Sequence, residues 1–354
     1  MTDIFLKVKT HQEQQLPFVL YCKPNAKEIV GLFQRNDHLY FVESFEENGF
    51  VFAPFDGENY VLLPENHLDV IVEPFKSVPA DDLPAVFYEM DEKAKHDFEH
   101  LVAKAVDEIH SGYFKKVVLS REEIVNLDHF DVVDFFQKLL SNYPQAFKYC
   151  FFHPKIGMWM GATPEQLLKV KDFEIHTVAL AGTKINKGKE EVVWKQKEKD
   201  EQQLVTDFIL ENLKNHVSEQ TVSSPYTAYA GNLLHIKTDI SAKMNDANSL
   251  KPVLKILHPT PAVCGYPKLL AKDFILQNEG YDREYYAGFL GELNMDFATG
   301  RSENSDLFVN LRCMKIKDKK AHLFVGCGIT KDSDPEQEFL ETVNKSMTMK
   351  KILN

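Results

Sequence analysis

An α+β fold built largely from antiparallel sheet follows from three features of this sequence. Strand-like segments occur in groups joined by short turns such as "GEL" and "DKK", the hairpin pattern of antiparallel pairs. Helical segments fall between these groups instead of alternating with single strands, which disfavours a doubly wound parallel sheet. One Pro- and Asp-rich stretch, "SVPADDLPAV" (77–86), is the sole candidate connector. It marks off residues 1–85 as an N-terminal sheet extension of a single domain spanning 1–354.

The elements follow in order. Up to about residue 80, "LPFVLYCKP", "HLYFVESF" and "GFVFAPF" read as short strands. Over 87–110, Phe98, Leu101, Val102 and Ala105 recur at helical spacing, and "HSG" ends the helix. "FKKVVLSREEIV" is a β-branched strand, and "DVVDFFQKLLSNYP" is a helix. "YCFFHPKIGMWMGATPEQLLKV" reads as strand, turn, strand and short helix, with "FEIHTVALAGT" a further strand. "KEKDEQQLVTDFILENLKNH" is an amphipathic helix. Strands follow at "LLHIKTDIS", "YYAGFLGELN" and "DLFVNLRCMKIKDKKAHLFVGCGI", and "DPEQEFLETVNKSMTMKKIL" is the last helix.

Composition narrows the function. A net charge of -12 over 354 residues argues against a general nucleic-acid binder. It leaves room for an anionic small substrate, because a local cluster of Lys and Arg overrides the global sign. No apolar run reaches the roughly 20 residues that cross a bilayer, so no membrane partner is expected. "MTDIFLKVKTHQEQQ" lacks the apolar stretch of a secretory signal, and the five scattered cysteines form no C-x-x-C pair. Together these point to the reducing cytoplasm.

Candidate site residues come from position and pattern. Glu201 precedes Leu204 and Val205 by three and four residues and so shares their inward helical face. A carboxylate there serves as a helix-start residue or binds a cation; position alone favours the first. Glu338, Glu341 and Lys345 lie along one face of the last helix, as a solvated pair would or as part of an oxygen-rich Mg²⁺ site. Lys116 either snorkels to water or, desolvated, acts as a base. Glu165, just after a proline at an expected helix start, suits the helix dipole or a dry pocket that keeps it protonated. Arg312 shares a strand face with Phe308 and Asn310, and offers a fork for a carboxylate or a reach to solvent. Gly326 and Gly328 in "VGCGI" mark a bulge or let backbone N–H groups approach the same anion. His258 stands just before two prolines in the rigid loop "LHPTPAVCGYP", as a structural histidine or one displayed to a site.

In this order, "KVVLSR", "GATPEQLL", "ALAGT", "EKDEQQLV", "LLHIKTDIS", "LHPTPAVCGYP", "YAGFLGE", "FVNLRC", "LFVGCGI" and "SDPEQEFLETVNK" resemble the chorismate-utilising enzymes. That family includes isochorismate, salicylate, anthranilate and aminodeoxychorismate synthases. The resemblance covers residues 95–354, which it marks as the catalytic core, and "LHPTPAVCGYP" is most similar to the isochorismate and salicylate branch. It implies two stacked, largely antiparallel sheets with helices packed outside, chorismate as substrate and Mg²⁺ as cofactor. It implies Glu201, Glu338 and Glu341 as metal carboxylates. Arg312 with the backbone of Gly326 and Gly328 would clamp the enolpyruvyl carboxylate, with Lys345 and His258 near the substrate. Lys116 would activate water and Glu165 would protonate the departing C4 hydroxyl.

The resemblance also interprets the bland strand end "ALAGT", whose Ala181, Gly182 and Thr183 would border the substrate. Aminodeoxychorismate synthases carry a nucleophilic lysine where this chain has Ala181, so here a small molecule must attack C2, and water is the natural choice beside Lys116. Isochorismate is then the implied product, feeding menaquinone or siderophore synthesis. Salicylate synthesis and, more remotely, ammonia-dependent anthranilate formation or chorismate binding without turnover are the alternatives. "FVESFEENGF" only faintly echoes the tryptophan-binding region of anthranilate synthases, so no obligatory amidotransferase partner is expected, and a monomer is the expected state.

Overall fold

The computed structural model describes residues 3–75, 90–185, 188, 192–230, 233–246 and 250–353. Helix α1 (Asp3–Glu13) leads into strands β1 (Phe18–Cys22), β2 (Glu28–Gln34), β3 (Tyr40–Phe41), β4 (Gly49–Ala53), β5 (Val61–Pro64) and β6 (Leu68–Pro74). After α2 (Glu92–His110) come β7 (Lys116–Asn126), α3 (Val132–Asn142), β8 (Phe147–His153), β9 (Gly157–Thr163), β10 (Gln166–Lys171) and β11 (Glu174–Ile185). Helix α4 (Gln196–Leu213) precedes β12 (Val217–Val222), β13 (Tyr226–Ala230) and β14 (Leu233–Met244). Next are α5 (Leu250–Leu257), β15 (Gly265–Tyr266), α6 (Lys268–Asn278), β16 (Phe289–Leu293), β17 (Met295–Asp296) and β18 (Arg301–Ser302). The chain closes with β19 (Asn304–Val309), β20 (Cys313–Lys317), β21 (Lys320–Ile329) and α7 (Pro335–Leu353).

Two large antiparallel sheets carry the fold. The first runs β15-β7-β21-β20-β9-β8-β1-β2-β6, and the second β12-β14-β11-β10-β19-β16-β4-β5-β3, with β13 paired to β14. The N-terminal strands extend both sheets: β1 pairs with β8, and β4 pairs with β16. Alternation along β1 shows why the first sheet is buried on both faces. Val19 and Tyr21 enter the core between the sheets, while Phe18, Leu20 and Cys22 face an outer cluster shared with α1, α3 and α7. Helices α4 and α5 cover the second sheet through Val205, Phe208, Ile209, Val253 and Leu254.

Aromatic rings fill the space between the sheets. Phe52 of the second sheet stacks on Phe151 of the first at 4.4 Å and on Tyr285 at 4.3 Å. Phe147 stacks on Phe308 at 4.3 Å. A buried polar clamp joins the same layers, since the Tyr21 hydroxyl donates to Glu292 and Lys23 pairs with Glu292 at 2.5 Å.

Three local expectations are corrected. The short helix expected after Pro164 is strand β10, so Glu165 stands in the turn between β9 and β10. The Thr163 hydroxyl donates to the Val309 carbonyl, and the Val309 N–H donates to the Glu165 carbonyl, which keeps that chain extended against β19. The strand expected to run through Arg312 stops at Val309. The chain crosses from the second sheet to the first, and Arg312 takes a left-handed φ of 49° at the crossing. Residues 3–13 form a helix where only strands were read, because Ile4, Phe5 and Val8 recur at helical spacing on a buried side.

Phe52→Ala should lower unfolding stability by about 3–5 kcal/mol, since it empties a fully buried aromatic site. A urea titration checks this as a fall in midpoint at unchanged slope.

Candidate active site

A cleft of about 120 Å³ opens where β7 and β21 of the first sheet face β11, β14 and α4 of the second. Lys116 begins β7, and its side chain is buried instead of snorkelling to water. Its Nζ donates to Glu201 Oε1 at 2.5 Å. Gly328 pairs with Val118 across the ladder, and a Cβ there would stand 3.2 Å from Lys116 Cε and 3.5 Å from Glu201 Oε1. The bare backbone leaves room for this ion pair.

Glu201 reaches the cleft because α4 is locked in rotation. The buried Gln202 side chain donates to Thr206 Oγ1 at 2.9 Å, to Thr238 Oγ1 at 2.8 Å and to the Ala179 carbonyl at 3.4 Å. With Gln202 turned onto β11 and β14, Glu201 turns toward Lys116. Strand β11 shifts register between Ala181 and Thr183, with Gly182 at φ 69°. A Cβ on Gly182 would come within 3.0 Å of Glu198 Cβ, so glycine lets α4 seat closely there. Ala181 and Gly182 line the cleft. The backbone of Thr183 pairs with His235, and its side chain lies outside the described residues.

Opposite stand Glu165, Arg312, Glu341 and Lys345. Burial pushes the Glu165 carboxyl up to about 7, against the opposing pull of Lys116, Lys345 and Arg312. Arg312 donates from Nη1 to the Lys345 carbonyl at 3.2 Å. Burial lowers its pKa without bringing it near neutrality, since guanidinium stays charged in proteins. Lys345 pairs with Glu341 at 2.7 Å and donates to the Gly326 carbonyl at 2.9 Å. Burial alone would raise the Glu341 carboxyl, but Lys345 and Arg312 together hold it below its ordinary value.

His235 also lines the cleft and was missed as a site residue. Its Nδ1 lies 3.0 Å from the Gly182 carbonyl, so Nδ1–H donates and Nε2 carries the lone pair. Burial lowers its pKa to about 4, which keeps the ring neutral near pH 7. The signal lay in "LLHIKTDIS", where strand alternation puts His235 on one face with Lys237 and Asp239. His258, the histidine singled out instead, does not line the cleft. Its Nε2 lies 3.0 Å from the Pro54 carbonyl, and its ring packs on Phe289 at 5.0 Å. Desolvation pushes its pKa down to about 3, as for a histidine that serves packing. Its loop reaches the cleft through Ala262 and Val263 instead.

The carboxylates are arranged differently from a three-glutamate cage. Among the described residues, no three His, Cys, Asp or Glu side chains stand together as a metal centre. Glu201 and Glu341 line the cleft, each holding a lysine ammonium. Glu338 does not line it, but lies near enough to Cys327, a cleft residue, that its charge and that of Glu341 join burial in pushing the thiol up. Two cleft carboxylates fit magnesium, which takes one or two protein carboxylates, retained waters and oxygens of an anionic ligand.

Residues 65–354 match the chorismate binding enzyme family. The salicylate biosynthesis isochorismate synthase of Pseudomonas aeruginosa is 29% identical over 310 residues, covering 84% of this chain and 64% of that protein. Isochorismate synthase EntC of Escherichia coli (strain K12) is 30% identical over 265 residues, covering 71% of this chain and 66% of that protein. The chain thus spans just under two thirds of the length of these relatives. In fold it is similar to DhbC of Bacillus anthracis (TM-score 0.80, 22% identity, 98% of this chain and 99% of that chain). It is likewise similar to MenF, the menaquinone-specific isochorismate synthase of Escherichia coli (TM-score 0.78, 22% identity, 96% of this chain and 89% of that chain). By the extent of the family match and the architecture around the cleft, the chain belongs to the chorismate-binding enzymes.

Proposed function

We propose that this protein is an isochorismate synthase, adding water at C2 of chorismate with loss of the C4 hydroxyl. The observation that carries this reading is the pairing, in one cleft, of Lys116 with a carboxyl, Glu165, held protonated to about pH 7. Water attacks C2, and Lys116 takes the proton it releases. The ring double bonds shift, and the C4–O bond breaks as Glu165 gives its proton, so one water enters and one leaves. Ala181 presents no amine to compete with that water.

Lys116 is tied to Glu201 in this structure, and an ammonium in an ion pair donates a proton instead of accepting one. Acting as base requires that pair to open. Arg312 and Lys345 supply fixed positive charge for the substrate carboxylates, and His235 lines the same cleft as a neutral ring. Glu201 and Glu341 would hold Mg²⁺ in the cleft, and Glu338, which the resemblance implies as a third ligand, would have to turn in from beside Cys327. The ion would bind the ring carboxylate and offset its charge in an acidic protein.

Cytoplasmic action and supply of menaquinone or siderophore synthesis accord with this reading. The relatives include a menaquinone-specific enzyme and one named for salicylate biosynthesis, and no helix among the described residues is long and apolar enough to cross a membrane.

Chromatography of chorismate incubated with the protein, with and without Mg²⁺ and ammonium, should show isochorismate as the sole product and only with Mg²⁺. Salicylate with pyruvate, anthranilate only with ammonium, or no product would each replace the reading. Lys116→Ala and Glu165→Gln should each lower kcat by about 10²–10⁴ at retained fold, read by initial rates and circular dichroism. Because Glu165 works in its protonated form, kcat should fall as pH rises through about 7. A profile flat from pH 6 to about pH 9 would remove it as the acid. Glu341→Ala should shift the Mg²⁺ titration to higher concentration; an unchanged curve rules out its ligand role.

A further inference from the structure

Beside the cleft lies a second cavity of about 520 Å³, between the second sheet, α7 and the loop 142–146. It shares Pro164, Glu165, Leu180, His235 and Arg312 with the cleft, so the two form one space with a waist at these residues. The inner cleft alone, at about 120 Å³, falls short of the several hundred Å³ usual for a small-molecule site. The outer chamber lies within that range.

The charges on its wall are uneven. Lys237 and Arg312 line the chamber, with Glu165 as the sole carboxyl lining it among the described residues. Asp239 holds the Lys237 ammonium at 3.0 Å but does not line the chamber, and its side chain is 51% exposed. Lys237 and Asp239 share one face of β14, so the lysine stands at the chamber wall with its counter-charge on the exposed side chain two residues on. At the rim, Tyr229 is 64% exposed. In a chain of net charge -12, an anion is repelled by most of the surface.

We propose that this chamber is the route by which a small carboxylated substrate reaches the cleft, and that Lys237 draws it in. The inference rests on the reading of the protein as an enzyme acting on a dianionic substrate. Clefts walled by one sign of charge raise the local concentration of an oppositely charged ligand, and salt screens the effect. Lys237 acts on arrival and touches no reacting atom, so kcat should not depend on it.

The test compares kcat/KM for chorismate in the wild type, Lys237→Glu and Asp239→Asn from low to high ionic strength. The inference expects Lys237→Glu to lower kcat/KM several-fold at low salt and Asp239→Asn to raise it. Both differences should shrink at high salt, with kcat and the unfolding midpoint unchanged. Opposite signs from two neighbouring strand residues are not what a loss of packing would produce. Any other pattern in an active wild type overturns the route and leaves the functional reading standing. A wild type inert toward chorismate overturns the functional reading, and the route with it.

Discussion

The contact between Lys116 and Glu201 ties the two halves of the molecule together. Lys116 belongs to the first sheet and Glu201 to the helix that covers the second, and their ion pair spans the gap in which the cleft lies. Taking both charges out of water is expensive, and only close approach and further hydrogen bonds offset that penalty. Several other features serve this one contact. Gly328 leaves room for the lysine stem, Gln202 fixes the rotation of α4, and the bulge at Gly182 lets α4 come close to β11.

Around that pair, desolvation sorts chemically similar groups into different states. Glu165 and Glu341 are both glutamates lining one cleft, yet burial prevails at Glu165 and raises its pKa, while Lys345 and Arg312 prevail at Glu341 and lower it. Lys345 sits one helical turn from Glu341 and within hydrogen-bond reach of it. Glu165 lies in a turn and has no such partner on its own element. The separation of an acid form from an ionised form is therefore a matter of where each backbone segment ends.

Much of the architecture was readable locally. Strands β7, β8, β9, β11, β14, β16, β19, β20 and β21, with α2, α3, α4 and α7, follow from periodicity in segments such as "KKVVLSREEIV" and "EKDEQQLV", because their buried sides repeat at two or 3.6 residues. Short apolar runs misled where a neighbouring strand decided the outcome. "PEQLLKV" offers helical residues after a helix-starting proline, yet β11 and β19 on either side draw it into the second sheet. The reverse happened with "DIFLKVKTHQE", a weakly amphipathic segment that becomes helix α1 because it packs over β2 and β6.

The sequence by itself determined which residue types were present and in what order: the lysine opening β7, the alanine in "ALAGT", and the carboxylates of α4 and α7. Those are local facts, legible from motif order and spacing. Only the tertiary structure decided which of them meet. It put His235 into the cleft and turned His258 away from it, though His258 was the histidine that its proline-rich loop singled out. It brought Glu201 and Glu341 to the cleft wall and left Glu338 beside Cys327. The reason is that strand register and helix rotation are settled by burial across two sheets, through contacts between residues far apart in the chain, and no local pattern carries that information.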